Sequence, residues 1–586
     1  MKNNNNSVFE TKIYKYDFDF SSLKKIKSNS KLINWPTVYI LSNNKEAYIG
    51  ETLSVDKRIE QHLKNKKRKN LKTVNLIVND SFNKSAILDI ENMLIEYFHA
   101  DNKYSLQNEN FGQSKLHNYY QRGFYQNSFY EIWDKLRKKK IVNSTAFQIQ
   151  NSDIFKFSPY KCLTNEQFDI SMSLLSDIAS LIEAKKSENK KGNIMINGVA
   201  GTGKTVMAIS LIKFIIDLIN KPIDYSNIIE DFNEDNLSSN FQINKIIKQY
   251  ANEFGLKIGF VIPVPSFRTT IKKVFSITKG LKANMVLSPS QAAKGNYDII
   301  FVDEAHRLKR RAKLTNYGSH DHINKMMGLD RNADELDWIL NSANLATILF
   351  YDKHQSVKIS DVKSAKFDML RNMSKSYDLS NQLRIKAGKE YIDFWNAILN
   401  NNQSQVISPN TNNYDFKIFD DLEKMFDNIK EKNIEFKGLC RVLSGYSFPW
   451  RHHIRDNSNT KYTKEYDFII DGKKYTWNTT VNDWLTRKDS INEVGCIYTC
   501  QGYDLNYAGV ILGPDIFFNE KTGKIDFNID KYYDTYSKDK KNIEQTKKNI
   551  INAYLVLLTR GIYGTYVYVW DSNLRNYLKE KFGINK

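Results

Sequence analysis

Two short apolar runs near the start of the chain, Val38-Tyr39-Ile40-Leu41 and Tyr48-Ile49-Gly50, flank a polar turn of Ser42, Asn43 and Asn44. The pattern predicts a β-hairpin. A helix follows, then a strand at "TVNLIV" and an amphipathic helix from about Lys84 to His99. Next comes the aromatic stretch "HNYYQRGFYQNSFYEIW" (117–133). It reads as a linker packing on a neighbour in preference to a stacking surface for bases. Residues 1–33 are Lys/Asn-rich, with aromatics at Tyr14, Tyr16, Phe18 and Phe20, and read as an arm packing on something else. From about residue 160 short apolar runs alternate with helical periodicity: "NIMIN", "KIGFVIPV", "YDIIFV", "LATILFY", "YAGVILG" and "GTYVYVW". Buried strands alternating with helices predict parallel sheets covered on both faces, here two of them. An acidic patch, "IIEDFNED" (228–235), reads as an insertion. The predicted divisions are an arm (1–35), a small α+β domain (36–115), an aromatic and basic linker (116–160), and two parallel-sheet domains (161–375 and 376–586).

Composition narrows the class. The chain has 586 residues, too many for one core. No run of about 20 apolar residues exists, so no membrane partner is expected. The start "MKNNNNSVFE" lacks the apolar core of a signal peptide. Four cysteines make no disulfide framework; Cys496 and Cys500 are too few ligands for zinc. The expected compartment is the reducing cytoplasm. Lys and Arg number 86 against 66 Asp and Glu, a net charge of +20, which favours nucleic acid as partner. A Lys/Asn/Ile bias of the source genome is the competing explanation. Basic clusters lie at "KNKKRKNLK" (64–72), "KLRKKK" (135–140) and "RLKRRAK" (307–313); singly, each reads as a solvated helix face.

"GVAGTGKT" (198–205) fits G-x-x-x-x-G-K-[ST], following a strand and opening a helix. Gly198, Gly201, Thr202 and Gly203 would let backbone N–H groups wrap phosphates. Lys204 would reach the β/γ-phosphates and Thr205 would hold Mg²⁺. "IIFVDEAH" (299–306) places Asp303 and Glu304 at a strand tip: Asp303 for the metal, Glu304 to orient or deprotonate water. His306 would couple the site to the next sheet or lie on the surface. Further strand ends supply Asp352 and Gln355, a γ-phosphate sensor; Arg384, Gln501, Gly502 and Arg560 follow, and Gln167 precedes, placed to read an adenine edge. Two arginines from a second sheet make hydrolysis depend on domain closure. In order, these segments resemble superfamily 1 helicases over about 160–575. "RVLSGYSFPW" (441–450), "GCIYTCQGYDLNYAGVILGPD" (495–515) and "AYLVLLTRGIYGTYVYV" (553–569) resemble a Schlafen-related helicase family. The resemblance implies ATP as cofactor with Mg²⁺, and Arg384 and Arg560 as arginine fingers. "SNQLRI" departs from the superfamily in having Leu383 where an aromatic often precedes the Arg.

The hairpin's Tyr39 and Tyr48 are followed by Arg58 and His62, four apart on one helix face. Glu91 and then Asn108 and Asn110 come next. This order resembles GIY-YIG nucleases over roughly 36–115, although the first triplet reads Val38-Tyr39-Ile40. The resemblance implies Glu91 as ligand of one divalent metal, Mg²⁺ or Mn²⁺. Tyr39 would deprotonate the attacking water if the metal and arginine lower its pKa; Tyr48 or His62 are alternative bases. Arg58 would stabilise the transition state, Gly50 would permit close backbone approach, and Asn108 would orient the site, with Asn110 as second choice.

The expected fold class is α/β: a small α+β GIY-YIG-type nuclease domain followed by two RecA-like parallel-sheet P-loop NTPase domains. The expected function is a nuclease–helicase coupling ATP hydrolysis to metal-dependent cleavage of DNA, serving anti-phage defence or repair. The alternatives are an ATP-gated sensor whose NTPase is a switch, and an RNA-directed enzyme. A partner protein or an oligomer is compatible with the sequence.

Overall fold

The structure, a computed structural model, describes residues 10–108, 119–199, 201–220, 234–356, 358–380, 385–402, 408–409, 414–436, 438–450, 466–480, 484–487, 489–500, 504–535, 537–539 and 541–584. Asn110, Arg384, Gln501, Gly502 and most of the acidic patch lie outside them. The chain divides into two compact units. One gathers Met1–Ile182, Thr205–Gly255 and Thr270–Met285; the other gathers Glu183–Lys204, Leu256–Thr269 and Val286–Lys586.

In the first unit β1 (Lys12–Asp17), β2 (Thr37–Ser42), β3 (Glu46–Thr52), β4 (Thr73–Val78) and β5 (Ser105–Leu106) form a sheet ordered β1-β4-β2-β3-β5. Its pairs are antiparallel except β3 with β5. The predicted hairpin is β2–β3. Asn43 closes its turn, its side chain accepting from the N–H groups of Lys45 and Glu46 at 2.7 Å each. Residues 12–17, expected in an arm, pair with β4 instead. The signal was present: Tyr14, Tyr16 and Phe18 recur with the strand period of two and pack on one cluster.

Alternation along β2 separates two cores. Tyr39 and Leu41 pack with α1 (Phe20–Ser28) and α2 (Val55–Lys64) on one face. Val38 and Ile40 pack with α3 (Lys84–Asp101) and α4 (Arg122–Lys138) on the other. Asn83 caps α3, accepting from Ala86 N–H at 2.9 Å. The aromatic stretch is α4: Phe129 and Trp133 are fully buried against α3, where a phenylalanine contributes about 1.5–3 kcal/mol by burial. Short helices α5 (Ala146–Gln150) and α6 (Asp153–Lys156) follow, then α7 (Asn165–Glu188), α8 (Lys204–Asn220), α9 (Glu234–Phe254) and α10 (Pro265–Ile277).

The second unit holds two parallel sheets among its described residues. β6 (Gly192–Gly198), β7 (Ile258–Val261), β8 (Val286–Leu287), β9 (Tyr297–Val302), β10 (Ala343–Tyr351) and β11 (Lys375–Leu379) are ordered β11-β6-β10-β9-β7-β8. β12 (Asp415–Phe419), β13 (Cys440–Ser444), β16 (Val494–Gly495), β17 (Leu505–Leu512) and β20 (Gly561–Val569) are ordered β12-β20-β17-β13-β16. Small hairpins β14 (Phe468–Ile470) with β15 (Lys473–Tyr475), and β18 (Ile516–Asn519) with β19 (Lys524–Phe527), decorate the second sheet's domain. The predicted apolar runs fall on these strands, and β17 is buried along its whole length, as a strand covered on both faces must be. The fold class is the expected one. Among the described residues no helix is long and apolar enough to cross a membrane.

Candidate functional site

The hairpin register sets Tyr39 opposite Gly50. A Cβ at Gly50 would lie 2.2 Å from the Tyr39 hydroxyl oxygen, so the ring occupies space that only glycine leaves. The Tyr39 hydroxyl and His62 Nε2 share a hydrogen bond of 2.8 Å, and the hydroxyl accepts from Arg58 Nε–H at 3.3 Å. Arg58 and His62 reach it together because they are one turn apart on α2. Tyr48 stands beside them, its ring centroid 6.2 Å from that of Tyr39 and 5.1 Å from that of His62. Val38 belongs to the opposite face, where it packs with α3.

Burial pushes the Tyr39 hydroxyl well above its ordinary value, and Arg58 offsets only part of it. Burial, with Arg58 and Arg68, pushes the His62 imidazole down to about 3. Tyr39 is therefore a neutral phenol and His62 a neutral imidazole whose protonated form the burial disfavours. Glu91, on α3 and 6% exposed, is close enough for its charge to raise both tyrosines further. Asn108 grips the backbone of Ile49 from both sides, accepting from its N–H at 3.0 Å and donating to its carbonyl at 2.8 Å. That fixes β3 between Tyr48 and Gly50. The sequence reading missed Arg68. Its guanidinium lies 3.7 Å from the Tyr48 ring centroid, within cation–π range, and donates to Gln107 Oε1 at 2.7 Å. In the sequence it was one of many cations in "KNKKRKNLK".

In the second unit the phosphate loop follows β6. Gly201 and Gly203 take φ of 85° and 76°, a region open to glycine. A Cβ at Gly198 would lie 2.6 Å from Thr202 Oγ1, whose hydroxyl donates to the Val199 carbonyl at 3.0 Å. Lys204 Nζ donates to the carbonyls of Gly198 (2.6 Å) and Val199 (3.0 Å) and stands 4.0 Å from Asp352 Oδ2. Gln355 Nε2 donates to that same Asp352 oxygen at 2.7 Å. The tips of β6 and β10 thus meet, as the motif order predicts. Asp303, fully buried at the end of β9, accepts from Glu304 N–H at 3.0 Å. Glu304 has a left-handed φ of 51° and lies 2.9 Å from His306 Nε2. Burial raises the Glu304 carboxyl, but His306, Lys204 and Arg307 together hold it below its usual range. It is an anion suited to orienting water more than to accepting a proton. His306 is buried rather than on the surface.

The remaining expectations are placed less directly. Thr205 is the second residue of α8. Gln167 is buried, and its Oε1 accepts from Thr164 N–H at 3.0 Å at the start of α7. Arg560 is buried where the helix Ile543–Leu558 gives way to β20. That helix touches the β10 tip: Asn552 donates to the Ser356 carbonyl at 2.9 Å, one residue beyond Gln355.

Comparison with known proteins agrees with this layout. A family model described as Schlafen group 3, DNA/RNA helicase domain, matches residues 191–571, well over half of the chain. A second, the GIY-YIG catalytic domain, matches residues 36–105. An uncharacterized protein of Saccharomyces cerevisiae is 28% identical over 450 residues, covering 71% of this chain and 90% of the relative. Among solved structures, an arterivirus helicase (nonstructural protein 10) is 11% identical with a TM-score of 0.25, matching 67% of this chain; the chain spans 61% of that protein. Bacteroides Pif1 bound to ssDNA is 10% identical with a TM-score of 0.24, covering 67% of this chain and 91% of that one.

Proposed function

We infer a function from one premise: the chain belongs to the Schlafen group 3 DNA/RNA helicase family and carries a GIY-YIG catalytic domain ahead of the helicase domain. It is a nuclease–helicase. The finer reading is a metal-dependent endonuclease acting on DNA, driven or gated by ATP hydrolysis in the same chain. Anti-phage defence or repair is the setting that this pairing would serve.

The observation that carries the nuclease reading is the hydrogen-bonded cluster of Arg58, Tyr39 and His62, with Arg58 Nε–H donating to the Tyr39 hydroxyl. Tyr39 would deprotonate the attacking water once a bound cation and Arg58 lower its hydroxyl, with Tyr48 or His62 as alternative bases. Arg58 stays protonated beside the phosphate and offsets the charge that develops there. Glu91 is a buried hard-oxygen donor next to both tyrosines, which fits a divalent cation such as Mg²⁺ or Mn²⁺. That cation would supply charge neutralisation at the phosphate. Asp303 and Thr205 would hold Mg²⁺ at the NTPase site, where Lys204 would exchange loop carbonyls for phosphate oxygens. The purified protein should cut DNA with Mg²⁺ or Mn²⁺. His62→Ala should slow cutting by roughly 10²–10⁴-fold and Arg58→Ala by roughly 10²–10³-fold. A His62→Ala rate equal to wild type would remove His62 from the reaction.

A route for coupling lies inside the first unit. α8 begins at the phosphate loop, and its Ser210 donates to the Pro159 carbonyl at 3.1 Å. Its Lys213 ammonium lies 5.8 Å from the Tyr160 ring centroid. Two residues back, Ser158 Oγ bonds His99 Nδ1 at 3.0 Å, and His99 Nε2 bonds Thr278 at 3.0 Å. His99 lies two turns along α3 from Glu91. Movement of α8 on nucleotide binding therefore has a packed path to the helix that carries Glu91.

His99 also gives a pH prediction. Burial, with Lys213, pushes its imidazole down to about 3, whereas an unfolded histidine titrates near 6.5. The folded state refuses a proton that the unfolded state accepts. This contribution is therefore intact above pH 6.5 and is lost as pH falls from 6.5 toward 3, by up to about 1.4 kcal/mol per pH unit. Denaturation midpoints measured between pH 7 and 4 should fall less steeply in His99→Asn than in wild type. Parallel curves would contradict the assignment.

A further inference from the structure

A cavity of about 650 Å³ opens in the first unit, away from the tyrosine pocket. Its floor includes Asn75 of β4, which pairs across the sheet with Ile40 of β2 and Lys15 of β1. Ile40 faces α3, one residue from Tyr39 on the opposite face. The cavity therefore lies on the opposite face of the nuclease sheet from Tyr39, Tyr48 and the helix that carries Arg58 and His62. Its walls carry Lys15, Lys45, Lys72, Lys139 and Lys140, drawn from β1, the β2–β3 turn, the approach to β4 and the end of α4. No carboxylate lines it. Among the described residues, none of these five ammonium groups is paired with an acidic side chain. A second cavity adjoins at Lys139 and continues past Lys12 and Lys138 along β1.

Five unpaired cations around one cleft repel one another, which favours a polyanionic ligand. Three further features choose its kind. The lysines come from four separate segments and a second lysine-bearing cavity adjoins at Lys139, an extent that suits successive phosphates better than one. Tyr104, half-buried, offers a ring to the cleft, and such rings stack on bases of any sequence. Asn75 is 2% exposed and its amide oxygen has no hydrogen-bond partner. That acceptor needs a donor, which a bare phosphate lacks and a ribose or base supplies. We propose that this cleft binds the backbone of a nucleic-acid strand, as a site separate from the tyrosine pocket and on the other face of the same sheet. It gives a role to the basic cluster at 135–140 that the catalytic reading leaves idle. The proposal rests on the reading of the chain as a nucleic-acid enzyme.

The test uses the full chain in EDTA, so that nothing is cut, with a labelled 30-nucleotide single strand in DNA and RNA versions. Binding is followed by fluorescence anisotropy across a salt series. The triple variant Lys15→Ala/Lys72→Ala/Lys139→Ala should bind at least about 10-fold more weakly at 0.1 M salt. Its slope of log Kd against log salt should shrink by about 2, the value for three phosphate contacts on a single strand. The corresponding triple Lys→Arg variant should restore both, and ATP hydrolysis without nucleic acid should be unchanged. Photo-crosslinking of bromodeoxyuridine-containing strand to wild type should map to the Tyr104 peptide; this readout does not depend on how the variants fold. Unchanged affinity and slope in the triple variant, or crosslinks confined to peptides of the helicase domain, would overturn the cleft alone. Failure of wild type to bind any strand would overturn the nucleic-acid reading together with it.

Discussion

Glu91→Gln abolishes cutting and leaves ATP hydrolysis at the wild-type rate. The substitution keeps the size of the side chain and removes its charge. Glu91 is nearly fully buried on α3, so a full truncation would also open a cavity in the α3 core; glutamine avoids that. Loss of a metal-ligating carboxylate removes several kcal/mol of transition-state charge stabilisation. At about 1.4 kcal/mol per factor of ten, the rate falls by at least ~10³-fold. The tyrosines supply a second readout. Burial and then Tyr48 and Arg58 act on Tyr39 ahead of Glu91, while at Tyr48 the Glu91 charge is the largest influence after burial. Removing it should lower the Tyr48 hydroxyl toward its ordinary value, visible in an ultraviolet titration of the phenolate. Cutting that survives Glu91→Gln, measured on plasmid DNA with Mg²⁺ and with Mn²⁺, would remove Glu91 from the site.

Lys204→Ala has the second large effect. ATP hydrolysis falls by at least ~10²-fold, because a preorganised cation aimed at the phosphates is lost. The ammonium also lies 4.0 Å from buried Asp352, so its removal leaves that carboxylate with the Gln355 amide as one remaining donor. A modest drop in thermal midpoint accompanies the loss. Cutting separates two architectures. If the path from α8 through Ser158 and His99 to α3 transmits the nucleotide state, the increment in cutting produced by ATP vanishes. Cutting without ATP then stays at the wild-type level. An increment that persists in Lys204→Ala, with ATPase gone, would show two enzymes that share a chain without communicating.

Much of this was legible in the residues. The phosphate loop and the strand-tip acids are local: a glycine-rich turn between strand and helix has one use for its N–H groups, and the apolar runs must be buried. The hairpin, α3 and the pairing of Arg58 with His62 on one turn follow equally from periods of two and 3.6 residues. β1 was misread because its aromatics sit in a polar, Lys/Asn-rich context, and only pairing with β4 shows what they pack against. Arg68 was invisible because it meets Tyr48 and Gln107 from a separate segment of the chain.

The sequence by itself determined the residue types, their order and the two chemistries: phosphate binding at Gly198–Thr205, and a tyrosine, arginine, histidine and glutamate set between Tyr39 and Glu91. Only the tertiary structure decided their protonation and their sides. Burial keeps both Tyr39 and His62 neutral. Strand alternation put Val38 on the face opposite Tyr39, against α3, and put Asn75 with its lysines on that same face. Spacing along the chain fixes what lies on one face of one element. Desolvation and the meeting of distant elements depend on which surfaces close on each other, and no local pattern encodes that.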